Sequence, residues 1–265
     1  MKSRPDGRNR GIPAWIVLAC ALFVPALAHA GERVEFPYGE AKGSGYVALP
    51  KGAGTHAAIV VIHEWWGITD WVKQQTDSLA ARGFVALAVD LYRGKVAETQ
   101  ETAHELMSGL IEDDAIATLR AGADYLRGRK DVRAHALGVI GWCMGGRYSI
   151  RLAAADPGIR ACVMYYGAPI SDEEAIRRIQ ATVLGNFGGE DKGPSPDQVR
   201  RFEAALRKAG KKADFKIYPG AGHAFANVNN PWGGYRAGAA EDAWGRTIAF
   251  FDRELKRWST PKTAR

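Results

Sequence analysis

Apolar residues fall into two kinds of run along this chain. Continuous apolar blocks occupy 57–62, 84–89, 136–140 and 161–166, and a further strand is predicted at 182–187. Such blocks, without polar alternation, read as strands buried on both faces. Between them lie stretches whose apolar positions recur at helical spacing: 70–82, 97–110, 113–126, 147–155, 173–179, 196–209 and 235–258. Gly83 and Gly210 mark helix ends. Shorter strands are predicted at 34–38 and 45–49, linked through Gly43-Ser44-Gly45, and at 215–218. Strand and helix alternate regularly, which predicts an α/β fold with a mostly parallel sheet and helices on both faces. Residues 31–265 read as one domain, with no internal repeat and no linker of disordered composition.

The first thirty residues stand apart from this pattern. Lys2, Arg4, Arg8 and Arg10 precede a mostly apolar stretch over 12–27, and Ala28-His29-Ala30 follows. A basic start, an apolar centre and a small-x-small end predict a signal peptide cleaved after Ala30. The mature protein is then periplasmic or secreted, with no stable membrane anchor. The apolar stretch is short for a span of about 20 residues and contains Pro25. Cys20 in Val17-Leu18-Ala19-Cys20 offers a lipidation alternative with a very short apolar core.

Removing the leader changes the charge picture. The net charge of +7 is partly the leader's own, and the remaining basic pairs are scattered: Arg177-Arg178, Arg200-Arg201 and Lys211-Lys212. Such pairs on helix faces and loops read as solvated surface, not as a nucleic-acid patch. Two cysteines remain, Cys143 and Cys162, too few for a disulfide framework. Cys162 lies in an apolar block and reads as an inert buried thiol. The histidines lack zinc-ligand spacing, and no metal or organic cofactor is expected.

Cys143 is different. It sits in Gly141-Trp142-Cys143-Met144-Gly145-Gly146, between the 136–140 block and the 147–155 helix. Strand, sharp turn and helix with one reactive side chain at the tip is the layout of a nucleophile elbow. Glycines two positions away let strand and helix approach, and the helix N-terminus favours a thiolate at the tip. Other reactive residues also follow predicted strands. Asp191 follows 182–187 in Gly188-Gly189-Glu190-Asp191, and His223 follows 215–218 in Gly222-His223-Ala224-Phe225. The order nucleophile, acid, histidine matches that of α/β-hydrolases. His223 would move the proton and Asp191 would fix the imidazole. Glu190 is a rival acid and Asp197 a weaker one.

These motifs, with His63-Glu64-Trp65-Trp66-Gly67 and Asp90-Leu91-Tyr92, resemble the dienelactone hydrolase (carboxymethylenebutenolidase) family over essentially the whole mature chain. The resemblance implies the α/β-hydrolase fold and a Cys143–His223–Asp191 triad. It implies that Glu64 contacts the resting thiol and helps form the thiolate, with His63 holding the loop. Backbone N–H groups of Met144 and Trp65 are expected to form the oxyanion hole. The family's lactone hydrolases hold a substrate carboxylate with two arginines. Here Arg93 stands one position early for the first, and Asn227 occupies the place of the second. Losing that clamp removes a strong carboxylate anchor. The expected substrate is a small-molecule ester or lactone, neutral by preference. Trp66, Trp142 and Trp232, with Trp65, are expected to line the substrate cup, and 227–234 to form its rim. The chain is expected to be a monomer or small homo-oligomer. Two other functions remain open: a binding protein that kept the pocket without turnover, and a thiol-redox role for Cys143, which lacks a neighbouring cysteine.

Overall fold

A computed structural model describes residues 31–231 and 233–256. Residues 1–30, where a signal peptide and the Cys20 alternative are predicted, lie outside the described residues, as do Trp232 and Trp258. Among the described residues, eight strands form one sheet: β1 (Glu32–Tyr38), β2 (Ala41–Ala48), β3 (His56–Ile62), β4 (Val85–Val89), β5 (Val132–Trp142), β6 (Ile159–Tyr165), β7 (Thr182–Gly188) and β8 (Ala213–Tyr218). Their order is β1-β2-β4-β3-β5-β6-β7-β8. β2 runs antiparallel to both β1 and β4, and every pairing from β4 to β8 is parallel.

Helices cover both faces, because strands apolar on both sides need two layers to bury them. On one face α3 (Glu112–Gly128), α4 (Met144–Ala155), α5 (Glu173–Arg178) and α6 (Pro196–Lys208) pack on residues such as Val60, Leu87, Val139 and Met164. On the other, α1 (Asp70–Ala81) and α7 (Ala237–Phe251) pack on Ile59, Val61, Ile140 and Val163. The short α2 (Gln100–Ser108) buries only Ala103 completely. No helix among the described residues is long and apolar enough to cross a membrane.

The element boundaries depart from the sequence pattern for local reasons. The first hairpin turns at Gly39-Glu40, and Gly43-Ser44-Gly45 lies inside β2. Gly43 pairs with Phe36, whose ring fills the space a Cβ would take, so this glycine serves packing instead of turning. The α2 helix begins later than 97 because the Thr99 hydroxyl accepts the Thr102 N–H at 3.2 Å and caps it there. The α6 start carries a capping box, Ser195 with Gln198, and Pro196 in the first turn. The last helix starts at Ala237 and passes into a π-helical turn at Asp252–Lys256.

One feature of the topology positions the site. From β3 the chain moves outward to β4, then returns to the other side of β3 to form β5. The strand order therefore reverses between β3 and β5, and a crevice opens beyond their carboxyl ends.

Candidate active site

Two sequence-predicted residues flank that crevice: Cys143 directly after β5 and Glu64 just after β3. Cys143 has φ 54° and ψ −116°, a left-handed conformation uncommon for a residue with a Cβ. Its N–H donates to the Tyr165 carbonyl (3.0 Å), and its carbonyl accepts the Arg147 N–H (3.2 Å). The turn is tight enough that a Cβ on Gly141 would overlap the Gly145 carbonyl, and one on Gly145 would overlap the Ile62 carbonyl. α4 begins at Met144, three residues earlier than the pattern predicts. Met144 is thus the first helical residue, and its N–H has no acceptor within the helix.

His223 and Asp191 come from the loops after β8 and β7. The imidazole Nδ1 lies 2.8 Å from Asp191 Oδ2. The carboxylate can only accept, so Nδ1 carries the hydrogen and Nε2 is left for the sulfur. Asp191 is buried, and its other oxygen accepts the Gly193 N–H at 2.8 Å. The imidazole and the Cys143 thiol line the same two cavities. Burial pulls the His223 pKa down, but the hydrogen bonds and charges of Asp191 and Cys143 outweigh it and raise the pKa to about 10. Glu190, the rival acid, is exposed, and Asp197 pairs with Arg200 on α6.

Glu64 is almost fully buried. Asn227 Nδ2 donates to its Oε2 at 2.6 Å, and the Tyr166 hydroxyl lies 3.5 Å from Oε1. Burial raises the carboxyl to about 7, with Asn227, His223 and Tyr166 partly opposing the shift. The Asn227 amide orientation is fixed, because its oxygen accepts the Asn229 N–H at 2.8 Å. His63 is buried; it accepts the Leu91 N–H at Nε2 (3.2 Å) and so donates from Nδ1 to the Glu64 carbonyl (2.6 Å). Both ring nitrogens are occupied in holding two loops together.

Two cavities meet at the thiol. One, of about 250 Å³, is lined by Glu64, Trp65, Trp66, Ala224, Asn227 and Asn230. The other, of about 260 Å³, is lined by Leu110, Glu112, Met144, Arg147, Tyr148 and Tyr166, among others. Cys143, His223 and Met107 line both.

Two predicted substrate contacts fall elsewhere. Trp142 is 1% exposed and packs between Trp71 and Tyr165, with ring centroids 5.1 and 5.6 Å away. Side chains alternate along a strand, so the residue before the tip faces the core instead of the cup. Arg93 is exposed and borders a separate surface groove with Arg33, Glu35 and Lys42. Its backbone is left-handed, φ 53°, in a turn tied to the Asp90 carboxylate through the Tyr92 and Gly94 N–H groups. Tyr166 and Met107 are among the cavity residues absent from the sequence-based expectation, whereas Asn230 belongs to the expected 227–234 rim. Tyr166 had a usable signal: it directly follows a buried strand. It too is left-handed, φ 38°, and its ring lies 5.2 Å from that of His223.

The dienelactone hydrolase family profile matches residues 44–255. The chain belongs to the dienelactone hydrolase family. It is 34% identical to "Protein usf" of Aquifex pyrophilus over 232 residues, covering 85% of this chain and 99% of that one. It is 33% identical to a "Putative carboxymethylenebutenolidase" of Methylorubrum extorquens over 236 residues, 84% of this chain and 80% of the relative. A solved dienelactone hydrolase homologue from Klebsiella pneumoniae superposes with a TM-score of 0.77 at 28% identity, over 84% of this chain and 98% of that one. The fold is accordingly the α/β-hydrolase fold, and family membership makes the chain a hydrolase of the ester and lactone class.

Proposed function

We propose that this chain hydrolyses small neutral carboxylic esters or lactones through an acyl-enzyme on Cys143, with no metal or organic cofactor. One observation carries the reading: the thiol at the strained turn shares its cavity walls with an imidazole that is itself bonded to a buried carboxylate. The raised His223 pKa supports an imidazolium at neutral pH, able to give a proton to the leaving group.

The thiolate attacks the carbonyl carbon, and the carbonyl π electrons move to oxygen. N–H groups of Met144 and Trp65 stabilise that oxyanion. As the C–O bond breaks, the imidazolium gives its proton to the departing alkoxide, leaving a thioester and neutral His223. Water then attacks the thioester and His223 takes its proton; the C–S bond breaks, releasing the acid and restoring the thiolate and the imidazolium. Asp191 keeps the imidazole in the required tautomer throughout.

Substrate charge follows from the first cavity. Glu64 and Asn227 line it, and no lysine or arginine does so among its described lining residues. A carboxylate placed there would face Glu64, with no lysine or arginine beside it and only the His223 cation, which Asp191 already engages, to offset the repulsion. Neutral acyl groups are therefore preferred. The protein acts outside the cytoplasm, as its amino-terminal sequence indicates.

The test joins labelling to turnover. Iodoacetamide should alkylate Cys143 quickly in the mature protein and slowly in His223→Ala. p-Nitrophenyl esters of neutral acids should be cleaved faster than carboxylated lactones. Equal labelling of both proteins would overturn the nucleophile assignment. A strong preference for carboxylated lactones would overturn the charge assignment.

A further inference from the structure

The acyl-enzyme reading leaves open what limits the size of the substrate. An ester carbonyl at the sulfur has two substituents that diverge from one carbon. The site offers two compartments of similar volume, about 250 and 260 Å³, meeting at the sulfur. Each has a volume of about eight waters at their liquid share of about 30 Å³, room for a short chain or a small ring. Three residues line both compartments: Cys143, His223 and Met107. The first two are the reacting groups under that reading. Met107 has no part in the chemistry, yet it lines both compartments that would take the two substituents.

We propose that Met107 is the size-determining residue of the site, a divider that confines each half of the substrate to its own compartment. The substrate class is then esters with two short substituents, or small lactones bent across the divider. The proposal rests on the acyl-enzyme reading given above. Met107 suits the role because its side chain is unbranched and fills irregular gaps. It lies near the end of α2, which fully buries only Ala103, and Met107 itself is half-buried. Met107 touches the core from its edge, so shortening or enlarging it disturbs the core less than a change at a fully buried residue would. Shortening it would join the two compartments into one channel past the sulfur.

The test uses the full mature protein with Met107→Ala, Met107→Leu and Met107→Phe. The first readout is kcat/KM for p-nitrophenyl octanoate divided by that for the acetate. Met107→Ala should raise this ratio by about tenfold or more, the scale on which pocket methylenes discriminate. Met107→Phe should lower it, and the volume-conserving Met107→Leu should leave it within about twofold. The second readout is alkylation of Cys143 by N-phenylmaleimide relative to iodoacetamide, which needs no turnover. That ratio should rise in Met107→Ala and fall in Met107→Phe. If both ratios stay unchanged across the variants while the wild type cleaves both esters, the divider is overturned and the acyl-enzyme reading stands. If the wild type cleaves neither ester and labels no faster than His223→Ala, both fall together.

Discussion

Residue identity at this site matters through backbone placement as much as through side-chain chemistry. Trp142 and Cys143 are neighbours, yet one is sealed in the core and the other opens on both cavities. The pleat sets that difference, since consecutive side chains leave opposite faces of a strand. Trp142→Phe should consequently lower stability by about 1–3 kcal/mol, as for other large-to-smaller core changes, and leave KM for a short ester nearly unchanged. Urea denaturation alongside ester kinetics checks both parts. A large KM change at unaltered stability would return Trp142 to the substrate cup. Asn227 shows the opposite relation: it occupies the cavity wall as expected, but its amide is committed to Glu64 and to the Asn229 N–H.

At the scale of elements, the site depends on how closely α4 approaches β3 and β5. Gly145 in the first turn of α4 lies against the Ile62 carbonyl with no room for a Cβ. Gly145→Ala must push helix and strand apart, and overpacking of this kind costs about 1–3 kcal/mol. The same displacement would move the thiol from the imidazole. Thermal unfolding should show the loss of stability, and iodoacetamide labelling of Cys143 should slow in parallel. Labelling at the wild-type rate in a destabilised Gly145→Ala protein would mean the elbow tolerates the shift. The elements themselves were largely legible in the sequence, because buried parallel strands are continuous apolar blocks and the helices between them are periodic. Their ends were less legible. Thr99 capping α2 and Phe36 filling the space above Gly43 are decided by individual contacts, not by period.

For the whole molecule, the titrations of buried Glu64 and part-buried His223 tie stability to pH. Glu64 is raised from 4.5 to about 7, so the folded state holds this proton more tightly than the unfolded chain does. Stability from this source falls as pH rises from 4.5 through about 7 and is flat beyond. His223 is raised from 6.5 to about 10; its contribution is fully present below 6.5 and is lost as pH rises through about 10. Glu64→Gln should remove the first decline only, so its stability relative to wild type should increase between pH 4.5 and pH 8. His223→Ala should remove the second. Chemical denaturation of the three proteins from pH 4 to pH 10.5 measures both, and a Glu64→Gln offset that does not vary with pH would refute the first assignment. Turnover should decline as pH passes about 10, because neutral His223 no longer supplies a proton to the leaving group.

The sequence by itself determined the strand–helix alternation, the glycine-flanked cysteine and the order of acid and histidine, since each is written in local composition and period. Only the tertiary structure decided what the strand ends bring together. Register and pleat turned Trp142 into the core, a carboxylate-tied turn carried Arg93 to another groove, and Tyr166 and Met107 arrived from distant elements. Local pattern states which way a side chain could face; which cavity it meets depends on neighbours far along the chain, and those are fixed only when the sheet closes its order around β3 and β5.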